Sequence, residues 1–142
     1  MPKILKISTE EINQALQNVT RQYVVGNLQK PQRLHHIPNS LIEIGITRYE
    51  AEAKVEAPHR HTQAFEFQYM TSGLTAYLDM TTGEEHIFRK GDFYAIEPGV
   101  VYAQKSAPGT QILFIKVPPG NDKVPVETTP EVEAWFHEPI TD

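Results

Sequence analysis

Hydrophobic and polar positions follow two different rhythms along the chain. Near the start, Ser8-Thr-Glu-Glu11 has the form of a capping box, in which the Ser8 and Glu11 side chains each satisfy the other's backbone amide. Ile12, Ala15, Leu16 and Val19 then recur at helical spacing, which predicts a short amphipathic helix of about three turns. Beyond a polar stretch from Pro31 to Ser40 the rhythm changes. Short runs rich in Ile, Val, Tyr, Phe and Thr alternate with turn residues at Gly73, Gly83, Gly91, Pro98-Gly99 and Pro108-Gly109. These predict strands over 41–49, 52–57, 64–71, 74–80, 85–89, 93–96, 100–105 and 111–117. No long helical pattern separates them, so the sheets should be antiparallel, as in a jelly roll or small barrel. Near the end, Thr129-Pro130-Glu131 suits the opening of a last helical turn that carries Trp135 and Phe136 onto the barrel or a second subunit.

Three segments follow from this pattern: an N-terminal helix and connecting arm (1–40), a barrel (41–117) and a C-terminal tail (118–142). At 142 residues the chain has the length of one domain. Charge and cysteine content then narrow the chemistry. The net charge is −5, with 13 Lys plus Arg against 18 Asp plus Glu, and no basic strip suits a phosphate backbone, so nucleic acid is not an expected partner. The chain has no cysteine, which removes disulfides, thiolate ligands and thiol nucleophiles. The first residues carry no apolar core of leader length and no apolar run approaches the span of a bilayer, so the expectation is a soluble, cytoplasmic protein with no membrane partner.

Candidate chemistry concentrates between Pro58 and Gly73. On an extended strand His59 and His61 project from the same face, the arrangement two imidazoles need to reach one ion. Glu66 has the opposite parity and rejoins them only if the chain bends through Thr62 to Ala64. Glu66, Gln68 and Met70 then face inward, while Phe65, Phe67 and Tyr69 form an outward aromatic stripe of the kind that pairs two chains, hence an expected homodimer.

Pro58-His59-Arg60-His61, followed by Glu66 and Gly73, resembles the first motif of the cupin superfamily. The run Gly91-Asp92-Phe93 through Pro98-Gly99 to Tyr102 resembles the second, and together the two cover roughly residues 41–117. The sequence departs from the family at two positions: Glu97 replaces a proline, and Tyr102 stands where the family has its last metal-binding histidine. The resemblance implies an all-β fold, an antiparallel double-stranded β-helix of the RmlC-like type, here with a short N-terminal helix. It also implies His59, His61 and Glu66 as ligands of a divalent transition metal (Fe, Mn, Ni or Zn).

Tyr102 is then either a phenolate ligand or a neutral wall with a catalytic proton. Gln68 and Gln104, which share parity with Glu66 and Tyr102, are candidates to bind substrate. His86 would replace the missing ligand only if it pointed inward. The expected function is a metal-binding cupin acting on a small polar or sugar-like metabolite by oxygenase or isomerase chemistry. The alternatives are a non-catalytic binding module for a small molecule and a metal-free sugar epimerase with a histidine base and Tyr102 as acid.

Overall fold

The computed structural model describes residues 1–50 and 54–141. In chain order it contains α1 (Thr9–Ala15), β1 (Arg21–Gly26), β2 (Ile37–Pro38), β3 (Glu43–Tyr49), β4 (Lys54–His61), β5 (Phe65–Ser72) and β6 (Leu74–Asp79). These are followed by β7 (Glu85–Arg89), β8 (Phe93–Ile96), β9 (Tyr102–Ser106), β10 (Thr110–Val117), β11 (Lys123–Pro125) and α2 (Pro130–His137). The strands form a six-stranded sheet in the order β2-β1-β3-β10-β5-β8 and a five-stranded sheet in the order β11-β4-β9-β6-β7. The predicted all-β jelly roll is thus present, as two facing sheets rather than a closed ring of strands.

Each strand from β3 to β10 corresponds to one read from the sequence. The predicted strand start at Glu52 lies outside the described residues, and β4 continues beyond Ala57 to His61, so the histidine pair sits on the strand itself. Two pairings make that extension possible. β11 aligns Lys123 with His61 and Pro125 with His59 on one side, while Tyr102 of β9 aligns with His59 on the other. β1 and β11 had no counterpart among the predicted strands. β1 pairs antiparallel with β3 through a register shift between Tyr23 and Val25, which obscures its alternation.

Ser8 caps α1 with both capping-box bonds present, but the helix ends at Ala15 instead of running on to Val19. Asn18, with φ of 62°, turns the chain out of the helical path. At the other end Thr129 Oγ1 accepts from Val132 N at 3.2 Å, and Pro130 opens α2 as anticipated. The helix lays Val132 and Trp135 on Ala76 and Ala103 of the five-stranded sheet. Lys105 closes its far end, with Nζ donating to the carbonyls of Trp135 (2.6 Å) and Glu138 (2.9 Å).

Between the sheets lies a core of Met70, Tyr77, Tyr94, Tyr102 and Ile112, contributed by both layers. Met70 is fully buried, which contributes roughly 1.5–3 kcal/mol. The tyrosines make this core half aromatic and half polar, because each buried hydroxyl needs a partner. They deliver their hydroxyls to the residues singled out above.

Candidate functional site

Both histidines of β4 point inward and are buried, and each has its ring fixed from behind. His59 Nδ1 donates to the Ala57 carbonyl at 2.9 Å, which leaves Nε2 as the acceptor. Tyr102 OH, directly across the ladder, stands 2.9 Å from that Nε2 and donates to it. Burial lowers the pKa of His59, so the ring is neutral and this tautomer holds. Burial also raises the Tyr102 phenol well above 10, with Glu66 and Glu56 adding to the effect. Tyr102 is therefore a neutral phenol carrying its proton, and not a phenolate.

His61 is held between two carboxylates. Its Nε2 lies 2.9 Å from Glu66 Oε1 and its Nδ1 lies 2.8 Å from Asp122 Oδ1. The bond to Glu66 is the main cause of a raised His61 pKa, which overcomes burial with help from Asp122, and a carboxylate acceptor at each nitrogen favours the doubly protonated ring. Burial acts to raise the Glu66 pKa, but the bond and charge of His61 and the charge of Lys116 hold it below the usual carboxylate value.

The bend expected through Thr62 to Ala64 is present, and Asp122 builds it. Asp122 Oδ2 accepts from Gln63 N (2.9 Å) and Ala64 N (2.8 Å), its backbone oxygen accepts from Thr62 N (3.3 Å), and Lys116 Nζ stands 3.2 Å from Oδ1. Sequence reasoning missed Asp122. It lies in the Pro-Pro-Gly-Asn-Asp segment after the last predicted strand, in what was read only as the start of the C-terminal tail. The two motifs also touch through backbone, since Gly99 N donates to His61 O at 2.8 Å.

Gln68 continues the chain of bonds inward. Its Nε2 donates to Glu66 Oε2 at 2.8 Å, and its Oε1 accepts from Tyr94 OH at 2.7 Å and Tyr77 OH at 2.9 Å. Gln104 does not join this network and donates to Thr75 Oγ1 at 3.0 Å. Both glutamines border a small internal cavity of about 30 Å³, shared with Glu66, Glu56 and Arg21. His86 does not point inward as a substitute ligand. Its ring is half exposed, 3.6 Å from Glu84 at the surface.

On the Tyr102 side a cleft of about 280 Å³ opens to solvent, walled by Tyr77, Phe88, Tyr94 and Tyr102. That volume suits a small ligand.

Among the described residues, no three His, Asp or Glu side chains stand together as an ion would hold them. The His59 and His61 rings lie 5.3 Å apart and cross at 88°, and each Nε2 is occupied by a protein partner. The donor chemistry nevertheless fits a divalent ion. Imidazole ligands characteristically commit one nitrogen to a carbonyl or carboxylate behind them, as both histidines do here. The 2.9 Å between His61 Nε2 and Glu66 Oε1 also matches the roughly 3 Å separating two ligands at right angles on an ion with bonds of about 2.1 Å.

The family model of the cupin domain matches residues 45–112. Among solved structures, KdgF from Halomonas sp. superposes with a TM-score of 0.52 at 16% identity, covering 72% of this chain and 80% of that one. An uncharacterized conserved protein with a double-stranded β-helix domain from Klebsiella pneumoniae gives 0.52 at 21% identity, covering 63% and 78%. Protein NMB1881 from Neisseria meningitidis gives 0.52 at 13% identity, covering 80% and 99%. No curated protein sequence matches the chain. Residues 45–112 thus carry a cupin domain. The structural likenesses speak for the fold alone. No helix among the described residues is long and apolar enough to cross a membrane.

Proposed function

We propose that the chain is a metal-binding cupin that takes a small polar metabolite in the cleft beside Tyr102, with His59, His61 and Glu66 holding Fe, Mn, Ni or Zn. One observation carries this reading. Both histidines have Nδ1 fixed by an acceptor behind the ring, so that each Nε2 is turned toward a candidate donor neighbour, Tyr102 or Glu66. A bound ion would supply Lewis acidity and open positions for a ligand oxygen.

The chain's own residues do the rest. Tyr102 holds a proton at the junction of cleft and histidine pair. Gln68 orients Glu66 and, through the Tyr77 and Tyr94 hydroxyls, reaches the cleft wall, while Gln104 borders the inner cavity. The exposed Phe65, Tyr69 and Phe93 on the six-stranded sheet support pairing of two copies, and the compartment that goes with this reading is the cytoplasm.

A second reading is favoured by the direct bond between Tyr102 and His59. In a metal-free barrel this pair would be a proton donor and acceptor facing a bound ligand. Elemental analysis of tag-free protein purified without chelator separates the two. The first reading expects roughly one transition-metal ion per chain and at least a tenfold loss in a His59→Ala, His61→Ala double variant. A parent protein that takes up none after incubation with Fe(II), Mn(II), Ni(II) and Zn(II) would sink the metal reading and leave the metal-free one.

A further inference from the structure

The cleft presents an unusual balance of polar groups. Its four aromatic walls contribute three tyrosines, yet none of their hydroxyls is free to serve a ligand. Tyr77 and Tyr94 spend theirs on Gln68, and Tyr102 spends its proton on His59. What they offer the cleft is ring surface, with no hydroxyl proton to spare. Phe88 stacks on Tyr94 at 3.9 Å between centroids, nearly parallel, and Ile96 and Val100 extend the apolar wall.

The remaining ionisable side chains on the lining are Asp79, Glu97 and His86, and no lysine or arginine lines the cleft among the described residues. Asp79 Oδ1 accepts from the amides of Thr81 and Thr82, which anchors that carboxylate at the cleft wall. His86 has Glu84 beside it, so the only basic ring on the rim has an acid as its neighbour. A cleft of ring carbon and carboxylates, poor in side-chain donors, serves anions badly and gives a polyol few of the donors it needs. It suits a ligand that brings its own positive charge: aromatic rings attract cations through the quadrupole, and fixed carboxylates add Coulombic attraction in a partly desolvated space.

We propose that this cleft selects a small organic cation, an amine or alkylated ammonium, with Asp79 and Glu97 setting the charge preference. This rests on the cleft being the ligand site of the reading above and narrows its polar metabolite to a cationic one. The carboxylates recognise the charged head, and Phe88 with the tyrosine rings encloses its alkyl groups. Tyr102, a wall of the cleft bonded to His59, sets the rest of the ligand beside the histidine pair.

The test is a calorimetric titration with three probes of one shape and different charge: choline, its neutral carbon isostere 3,3-dimethylbutan-1-ol, and 3,3-dimethylbutanoate. Choline is expected to bind about tenfold more tightly than the alcohol, with the carboxylate weakest. In an Asp79→Asn, Glu97→Gln double variant the preference for choline over the alcohol should collapse to within about twofold. The Asn keeps an oxygen for the Thr81 and Thr82 amides, and Glu97→Gln alone serves as a second variant that leaves Asp79 and its bonds untouched. Equal or tighter binding of the alcohol or the carboxylate, an unchanged preference in the variants, or no heat from any probe up to millimolar concentration overturns the proposal.

Each titration is run on chelator-treated and on metal-loaded protein, and the metal content of the variants is measured. Neither Asp79 nor Glu97 belongs to the expected ligand set, so metal content should stay at the parent level. A missing charge preference in metal-replete protein counts against this proposal alone, whereas a charge preference in protein that takes up no ion counts against the metal alone.

Discussion

Replacing Gly73 by alanine is expected to cost about 3 kcal/mol and to lower the melting temperature by about 10 °C. Gly73 makes the turn from β5 to β6, and so carries the chain from one sheet to the other, at φ of 86°. An L side chain there pays for the left-handed backbone, about 1–2 kcal/mol. Its Cβ would also stand 2.4 Å from Thr110 Cα and 2.8 Å from Thr110 Cβ, and backbone cannot swing aside as a flexible side chain can. Thr110 is itself pinned: it is fully buried, and its hydroxyl accepts from Leu74 N and donates toward the Ala107 and Leu74 carbonyls. The control is Gly83→Ala, at a similar φ of 77° with nothing within 4 Å of the added carbon, where only the backbone cost of about 1 kcal/mol is expected. Denaturant melts of the two variants compare these costs directly. Equal losses would mean that the approach to Thr110 does not constrain the turn.

Asp122→Ala should be nearly as damaging, by about 2–3 kcal/mol at neutral pH, because one carboxylate serves four partners. Its removal leaves the His61 imidazolium with one acceptor instead of two, strips the Gln63 and Ala64 amides of theirs, and takes away the Lys116 counter-charge. Asp122→Asn retains an oxygen for the amides and should lose roughly half as much. The effect has a pH signature in chelator-treated protein. Burial acts to raise the Asp122 pKa, but the amides, His61 and Lys116 together hold it well below its ordinary 3.8. A carboxylate with a depressed folded pKa stabilises above its unfolded value and loses that contribution as pH falls through the folded one. The gap in melting temperature between parent and Asp122→Ala should therefore narrow below about pH 4. His61 has the opposite sign: its pKa is raised from 6.5, so its clamp stabilises fully below 6.5 and weakens as pH rises through the folded value. A gap that stays constant from pH 7 to pH 3 would show that the charge of Asp122 contributes nothing.

The two motifs were legible because each writes a local rule into the sequence. His59 and His61 share a strand face, Glu66, Gln68 and Met70 share the next, and Gly91-Asp92 and Pro98-Gly99 mark turns. For the same reason the outward positions of Phe65 and Tyr69 could be read from parity alone. What remained hidden depends on pairing between distant segments. β1 was obscured by the register shift opposite β3, and the continuation of β4 to His61 is fixed by β11, a three-residue strand with no alternation to read. Asp122 falls in the same class, because nothing near it indicates that it will reach back to Gln63 and Ala64. The end of α1 is a smaller instance, where Leu16 and Val19 keep helical spacing but Asn18 leaves the helical path. Tyr102 stands out in the sequence as a departure from the family pattern, but that its proton goes to His59 follows only from the Ala57 carbonyl behind the ring.

The strand order carries a kinetic consequence. β10 lies between β3 and β5, and the Arg48–Gln111 bond across one of those ladders joins residues 63 positions apart. Conformational entropy must be given up to close such loops before any ladder bond returns it, so the chain should fold in milliseconds to seconds rather than microseconds. The candidate site inherits this delay, since β4, β5, β9 and the segment after β10 must all be in place before His61 has its two carboxylates. A nascent chain whose β10 has not yet docked would therefore have no assembled pocket, and any ligand of the finished barrel would act as a sensor of completed folding.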